Sequence, residues 1–255
     1  DDPTPKPPPP PPKVDLEPTK PAPPPPASTG AEVYARTLQS IGWVNVPRQF
    51  PLMSTGTGAL VDVERRLFLT AYHVIEGATE ARVFFPRFDA EGQPISVRDH
   101  YLSREKPIIG DVIVADAKRD LAVLRLRSSP PQTLALSVAA KSIGVAHKVF
   151  TVGNPGASSV LWVYTEGSVR QIAFKKFRMD NKQDVEAWIV EAQFPINQGD
   201  SGGPVVNDRN ELVGVNCSLT SKAQLMSNCV DVREIHAVLE QARRAPPPLN
   251  KLPLP

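Results

Sequence analysis

The stretch Gly199-Asp200-Ser201-Gly202-Gly203-Pro204 is the most informative in the chain. A serine hydroxyl is a poor nucleophile unless it projects from a tight turn toward a base, beside backbone N–H groups that can hold a developing oxyanion. Glycines at 199, 202 and 203 permit the backbone angles and close approach that such a turn needs. Ser201 is therefore the candidate nucleophile. The N–H groups of Gly199 and Ser201, with that of Asp200 as a third contributor, are candidates for the oxyanion hole. An ordinary turn between strands would account for a bare Ser-Gly-Gly, but the full six residues favour the chemical reading.

A base and an orienting acid are found upstream. In Leu67-Phe68-Leu69-Thr70-Ala71-Tyr72-His73-Val74-Ile75 a buried apolar strand delivers a histidine at its end. The other histidines, at 100, 147 and 236, follow no such strand and are assigned to surface or packing roles. In Arg119-Asp120-Leu121-Ala122-Val123-Leu124 an acid immediately precedes an alternating strand. A buried carboxylate is costly without partners, and a histidine N–H is a suitable one, because it fixes the imidazole tautomer. Asp111 and Asp116 are simpler to explain as turn or strand-edge acids. His73, Asp120 and Ser201 follow in that order, 47 and 81 residues apart, so the first two belong to one set of strands and the serine to another, with the site in the cleft between.

Two sets of strands are legible. The first is Ala59–Val63, Leu67–Thr70, Ala81–Phe85, Asp111–Ala115 and Ala122–Leu126. The second is His147–Val152, Val160–Thr165, Ser168–Ile172, Ala187–Ala192, Pro204–Val206 and Leu212–Asn216. Short apolar or alternating runs broken by Gly, Asn, Asp or Pro predict an all-β protein of two packed barrels or sandwiches. Val232, Ile235, Val238, Leu239 and Ala242 recur at helical spacing after Asp231, a candidate N-cap, and predict a final helix on the outside of the second barrel, closed by Arg243 and Arg244. A second short helix is expected over Ala31–Trp43.

Together, residues 199–204, Thr70-Ala71-Tyr72-His73 and Asp120-Leu121-Ala122-Val123-Leu124 resemble the chymotrypsin-like (trypsin-fold) serine peptidases. Within that clan the HtrA (Deg) branch is nearest, through Gly56-Thr57-Gly58-Ala59-Leu60-Val61-Asp62, His73-Val74-Ile75-Glu76-Gly77-Ala78, Val152-Gly153-Asn154-Pro155-Gly156 and Ile196-Asn197-Gln198-Gly199. The similarity covers roughly residues 33–240. It implies two six-stranded antiparallel β-barrels, no metal or other cofactor, and a serine endopeptidase that cuts protein or peptide substrates through an acyl-enzyme, with His73, Asp120 and Ser201 as its triad. The alternative is a catalytically latent module of the same fold that binds a peptide or partner. HtrA-like enzymes are often trimers, so the resemblance also admits a homo-oligomer.

The chain departs from these families in three places. It lacks the Ile-Val-Gly-Gly start of activated trypsin-type enzymes. It carries Asp200 where the HtrA branch usually has asparagine, and that charge needs a basic or hydrogen-bonding partner if buried. About ten proline-rich residues follow the expected final helix, too few for the PDZ domain common in that branch. The substrate pocket is expected from Pro195, Ile196, Asn197 and Gln198 and from Val215, Asn216 and Cys217, where no acid is placed to read a basic side chain. A small or medium apolar residue before the scissile bond is the expected preference.

Composition bounds the rest. Of 255 residues 41% are hydrophobic and 22% charged, enough apolar material for a sizeable core. A net charge of +2 with interspersed signs gives no basic stripe for nucleic acid, and no run approaches the roughly eighteen apolar residues of an integral membrane span. Fourteen of the 29 prolines lie in residues 1–29 and five in 246–255, which marks residues 1–30 as a proline-rich linker in extended polyproline II and 246–255 as a proline-rich tail. Between them, residues 31–245 form the expected protease domain: one barrel over about 45–130, a second over about 135–230 and a helix over 231–244. Cys217 and Cys229 leave two alternatives open, one bridge or two buried thiols. The start at Asp1 shows no signal pattern and reads as a processed or trimmed product. The spacer, the two cysteines and the HtrA likeness together suggest a periplasmic, secreted or membrane-tethered setting.

Overall fold

A computed structural model describes residues 28–48, 53–130, 133–156, 158–219 and 226–246. The proline-rich segments expected at the two ends lie almost entirely outside these residues. Two closed antiparallel barrels of six strands each account for most of the rest. The first comprises β1 (Ile41–Pro47), β2 (Met53–Asp62), β3 (Leu67–Thr70), β4 (Glu80–Phe84), β5 (Ile108–Asp116) and β6 (Leu121–Leu126), paired in the order β1-β2-β3-β6-β5-β4. The second comprises β7 (Lys148–Gly153), β8 (Val163–Arg178), β9 (Asp184–Gln193), β10 (Pro204–Val206), β11 (Leu212–Leu219) and β12 (Met226–Asp231), in the order β10-β11-β12-β9-β8-β7.

The period-2 geometry of a strand explains how the barrels share a core. In β6, Ala122, Leu124 and Leu126 point into the first barrel with Val44, Leu60, Phe68 and Val83, while Leu121 and Val123 point outward into the apolar cluster that fills the second barrel. The outward face of the first barrel is covered by the 133–143 connection, which hydrogen-bonds β2 through Leu136 N to Leu60 O at 2.8 Å, and by the last helix, α4 (Val232–Arg244).

Helix α4 starts as its sequence predicts. Asp231 is its N-cap and accepts from Arg233 N at 2.9 Å, and Val232, Ile235, Val238, Leu239 and Ala242 are buried. It packs on β5 and β6 as well as on β9, β11 and β12, so it joins the two barrels rather than lying on the second alone. The β6 residue Arg125 reaches its C-terminus and donates to the carbonyls of Ala245 at 3.3 Å and Pro246 at 2.5 Å, satisfying acceptors that a helix end leaves open.

Two further local expectations are corrected. The helix predicted over Ala31–Trp43 ends early: α1 covers Gly30–Thr37, behind a Thr29–Glu32 capping box, and Ile41–Trp43 already belong to β1, where Ile41 and Trp43 are buried. The runs at 160–165 and 168–172 belong largely to one strand, β8. Gly167, which reads as a break, lies inside that strand because its bare α-carbon faces the Gln193 carbonyl and Phe194, where no Cβ fits. Two short helices, α2 (Tyr72–Ile75) and α3 (Arg98–Arg104), and the strand β12 complete the fold.

Candidate active site

His73 leaves the end of β3 on the single turn α2. Its position is fixed twice by one side chain: the backbone N of His73 donates to Asp120 Oδ1 at 3.0 Å, and the ring Nδ1 lies 3.0 Å and 2.9 Å from Asp120 Oδ1 and Oδ2. The Asp120 carbonyl accepts from Tyr72 N at 3.2 Å. Asp120 is fully buried, whereas the His73 side chain retains 18% exposure. An ionised carboxylate can only accept, so Nδ1 carries the proton and Nε2 is left as the free basic atom. Asp111 and Asp116 take the other roles expected of them, as partners of Arg127 and Arg119.

Asp120 closes the β5–β6 turn with φ +54°, a left-handed conformation that few non-glycine residues adopt. The neighbouring Arg119 is held by Asp116 and by Glu234 of α4, each at 2.7 Å. The other Glu234 oxygen accepts from Trp188 N of β9 at 3.0 Å. The turn that presents the acid is thereby tied to the second barrel and to the last helix.

Ser201 sits in the turn that enters β10. Gly202 N donates to Asn216 O and Gly203 N to Asp200 O, at 2.8 and 2.9 Å. Across the cleft, Ser201 O accepts from Thr57 N at 2.8 Å, and Thr57 Oγ1 donates to Gly199 O at 2.8 Å. Gly56, on the same strand, packs against both Ser201 and Val74, the residue after His73, so the serine and histidine share one stretch of β2. Gly199 and Gly202 have φ of +100° and +81°, and each faces backbone where a Cβ would collide. His73 and Ser201 make no hydrogen bond to one another.

The peptide between residues 198 and 199 has a defined orientation. Gln198 O accepts from Gly156 N at 2.5 Å, and in a trans peptide the Gly199 N–H must point the opposite way. Among the described residues neither the Gly199 nor the Ser201 N–H has an acceptor. Asp200 differs: its N–H donates to Asn197 O at 3.0 Å, so the third expected oxyanion donor is already committed.

The side chain of Asp200, 7% exposed, lies on the bare α-carbon of Gly153 and accepts from Asn197 N at 2.7 Å. Burial pushes its carboxyl up to about 6, against the Asn197 N–H, Arg98 and the Asn154 N–H, which favour the charged form. Arg98, at the start of α3, is thus the basic neighbour that the sequence left unidentified. It donates to three carbonyls of the 154–158 loop, Asn154 at 3.0 Å, Pro155 at 2.7 Å and Ser158 at 2.9 Å, with its guanidinium 5.0 Å from the Trp43 ring centre. This is the loop whose Gly156 N–H holds Gln198.

The expected pocket residues divide. Pro195, Asn197 and Gln198 are exposed, while Ile196, Val215 and Cys217 are buried in the apolar cluster of the second barrel. Asn216 is buried and donates to Thr151 Oγ1 at 2.8 Å. No disulfide joins Cys217 to Cys229. Cys229 pairs in register with Asn216, to whose Oδ1 its thiol donates at 3.6 Å, and Cys217 falls in the bulge between paired positions, so the second alternative describes the molecule.

The chain belongs to the trypsin-like peptidase domain family, whose pattern matches residues 56–215. Among its relatives is a serine protease HtrA-like of Staphylococcus aureus (strain MRSA252), 28% identical over 160 residues that cover 60% of this chain and 20% of the relative. The chain spans about a fifth of the length of the curated relatives it matches. Among solved structures, the active form of the Rv3671c protease from M. tuberculosis is similar with a TM-score of 0.69 at 20% identity, covering 92% of this chain and 97% of that one. A serine endoprotease from Yersinia pestis is similar with a TM-score of 0.61 at 19% identity, covering 85% and 68%. These two likenesses concern the fold.

Proposed function

We propose that the chain is a serine endopeptidase in which Ser201 is nucleophile, His73 general base and Asp120 the acid that orients it. The observation that carries this reading is the double hold of a fully buried Asp120 on His73, which leaves Nε2 basic and directed away from the acid. In the reaction, Nε2 takes the Ser201 hydroxyl proton as Oγ bonds to the scissile carbonyl carbon. The carbonyl oxygen becomes an oxyanion facing the N–H groups of Gly199 and Ser201. The imidazolium then gives its proton to the leaving amine as the C–N bond breaks, and a water repeats the sequence on the acyl-enzyme.

The HtrA-like relatives and the family support polypeptides as substrates, and we keep a small or medium apolar residue before the scissile bond as the proposed preference. From the proline-rich spacer and the sequence resemblance we also propose a setting outside the cytoplasm, whether periplasmic, secreted or membrane-tethered. One observation favours a second reading, a latent module that binds without cutting: the serine and histidine are not hydrogen-bonded. In unliganded enzymes that bond commonly tightens only with substrate, so the endopeptidase reading stands first. Intact-mass labelling with a fluorophosphonate distinguishes the two. A single adduct on the parent and none on Ser201→Ala is the expected result; no adduct on either chain refutes the endopeptidase reading.

A further inference from the structure

The acid of the site comes from the first barrel, but one of the groups that grips it comes from the second. The β8–β9 hairpin turns over Met179–Gln183, with Met179 N donating to Gln183 O and Lys182 N to Met179 O, both at 2.9 Å. Past this turn the strand docks on the β5–β6 turn: Glu186 N donates to Lys118 O at 2.8 Å, and Lys118 Nζ pairs with Glu186 at 3.3 Å. At the point of contact Gln183 Nε2 donates to Ala117 O at 2.8 Å and to Asp120 Oδ1 at 3.2 Å.

That amide fork spans the turn. One of its hydrogens holds the carbonyl of Ala117 at the start of the turn and the other holds the carboxylate of Asp120 at its end, the residue whose φ is +54°. The Oδ1 that it grips is the one that also accepts from His73 N and faces His73 Nδ1. Both targets are oxygens able only to accept, so only the NH2 end of the amide fits. Its Oε1 is consequently buried without a hydrogen-bond partner among the described residues, an arrangement that disfavours the fold locally and persists because the two donor contacts outweigh it.

We infer that Gln183 is a positioning residue for the His73–Asp120 pair, through which the second barrel sets the plane of the carboxylate that the first barrel carries. The inference rests on the reading of Asp120 as the orienting acid. The charged groups packed around the turn are engaged elsewhere: Lys118 and Lys176 with Glu186, and Arg119 with Asp116 and Glu234. None of them hydrogen-bonds the Asp120 carboxylate, which leaves Gln183 as its side-chain donor other than His73 among the described residues.

The test uses the full chain with two near-isosteric changes. Gln183→Glu turns a donor into a carboxylate facing two acceptors; Gln183→Met removes the hydrogen bonds and keeps the bulk. At about pH 8, kcat/KM on a peptide substrate is expected to fall about tenfold in Gln183→Met and by more in Gln183→Glu. The acid limb of the pH profile moves upward by about one unit in Gln183→Glu, because a second negative charge beside Asp120 favours imidazolium. The same comparison is made without turnover, by following the His73 ring resonances through a pH titration in the Ser201→Ala background, where the Gln183→Glu midpoint again moves upward. Activity lost only in proportion to the folded fraction, with the acid limb and the His73 midpoint unmoved, would mean that Gln183 merely braces the hairpin and overturns the inference. If the parent is not labelled by fluorophosphonate, the endopeptidase reading fails and the His73 titration alone still decides the role of Gln183.

Discussion

Replacing Asp200 by asparagine should stabilise the folded chain in neutral solution and hardly alter it in acid. Burial raises this carboxyl from an ordinary 3.8 to about 6, just over two units, equivalent to about 3 kcal/mol at about 1.36 kcal/mol per unit. The sign follows from proton linkage. The folded chain binds the proton more tightly than the unfolded one, so the contribution to stability is present below the ordinary value and is lost as pH rises through about 6. Asparagine keeps an oxygen for Asn197 N but turns an NH2 toward the Asn154 N–H, a mismatch of about 1 kcal/mol. The net gain is therefore about 2 kcal/mol near pH 8, falling close to zero near pH 4.5, where the parent carboxyl is largely protonated when folded. Urea unfolding of Asp200→Asn and its parent at both pH values, in the Ser201→Ala background, measures it. A difference that is the same at both pH values, or a variant less stable near pH 8, would refute the reasoning and show that Arg98 and the two N–H donors fully compensate the buried charge.

Two further outcomes follow from the site. Arg98→Ala releases three loop carbonyls and loosens the Gly156 grip on Gln198, so the rate of fluorophosphonate labelling should fall about ten- to a hundredfold. Arg98→Lys should recover only a part, since an ammonium cannot span three acceptors in one plane, and parent-like labelling of Arg98→Ala would remove it from the account. Cys217 and Cys229 should resist an aromatic disulfide reagent in the native chain and both react in urea, because both are buried and burial pushes the Cys229 thiol up. An intact mass lacking the thiol hydrogens would contradict this.

Much of the architecture was legible because barrel strands buried on one or both faces write their period into the sequence. Leu67–Thr70 and Ala122–Leu126 are read within a residue of their observed ends. What escaped has physical causes. β12 reads Met-Ser-Asn-Cys-Val-Asp, and its polar members are buried against hydrogen-bonding partners, as Ser227 Oγ is against Phe194 O at 2.7 Å, so hydropathy gives no sign of it. Gly167 looks like punctuation but answers a close crossing of strands. The residues His73, Asp120 and Ser201 stood out because each follows or precedes an unmistakable strand or turn. Arg98 and Gln183 did not, since their partners are backbone carbonyls and a carboxylate distant in sequence. Only the unexplained charge of Asp200 hinted that a cation had to be found.

The props of the Asp120 turn also impose an order in time. All six strands of the first barrel have been synthesised by Leu126, yet the turn that carries the acid leans on Gln183 and Glu186 of the next barrel and, through Arg119, on Glu234 of the last helix. A nascent chain can close its first barrel as it leaves the ribosome, but the acid reaches its final setting only after residue 234 has emerged and docked. On the endopeptidase reading, the orienting acid is therefore set only after the chain has been made well past Ser201.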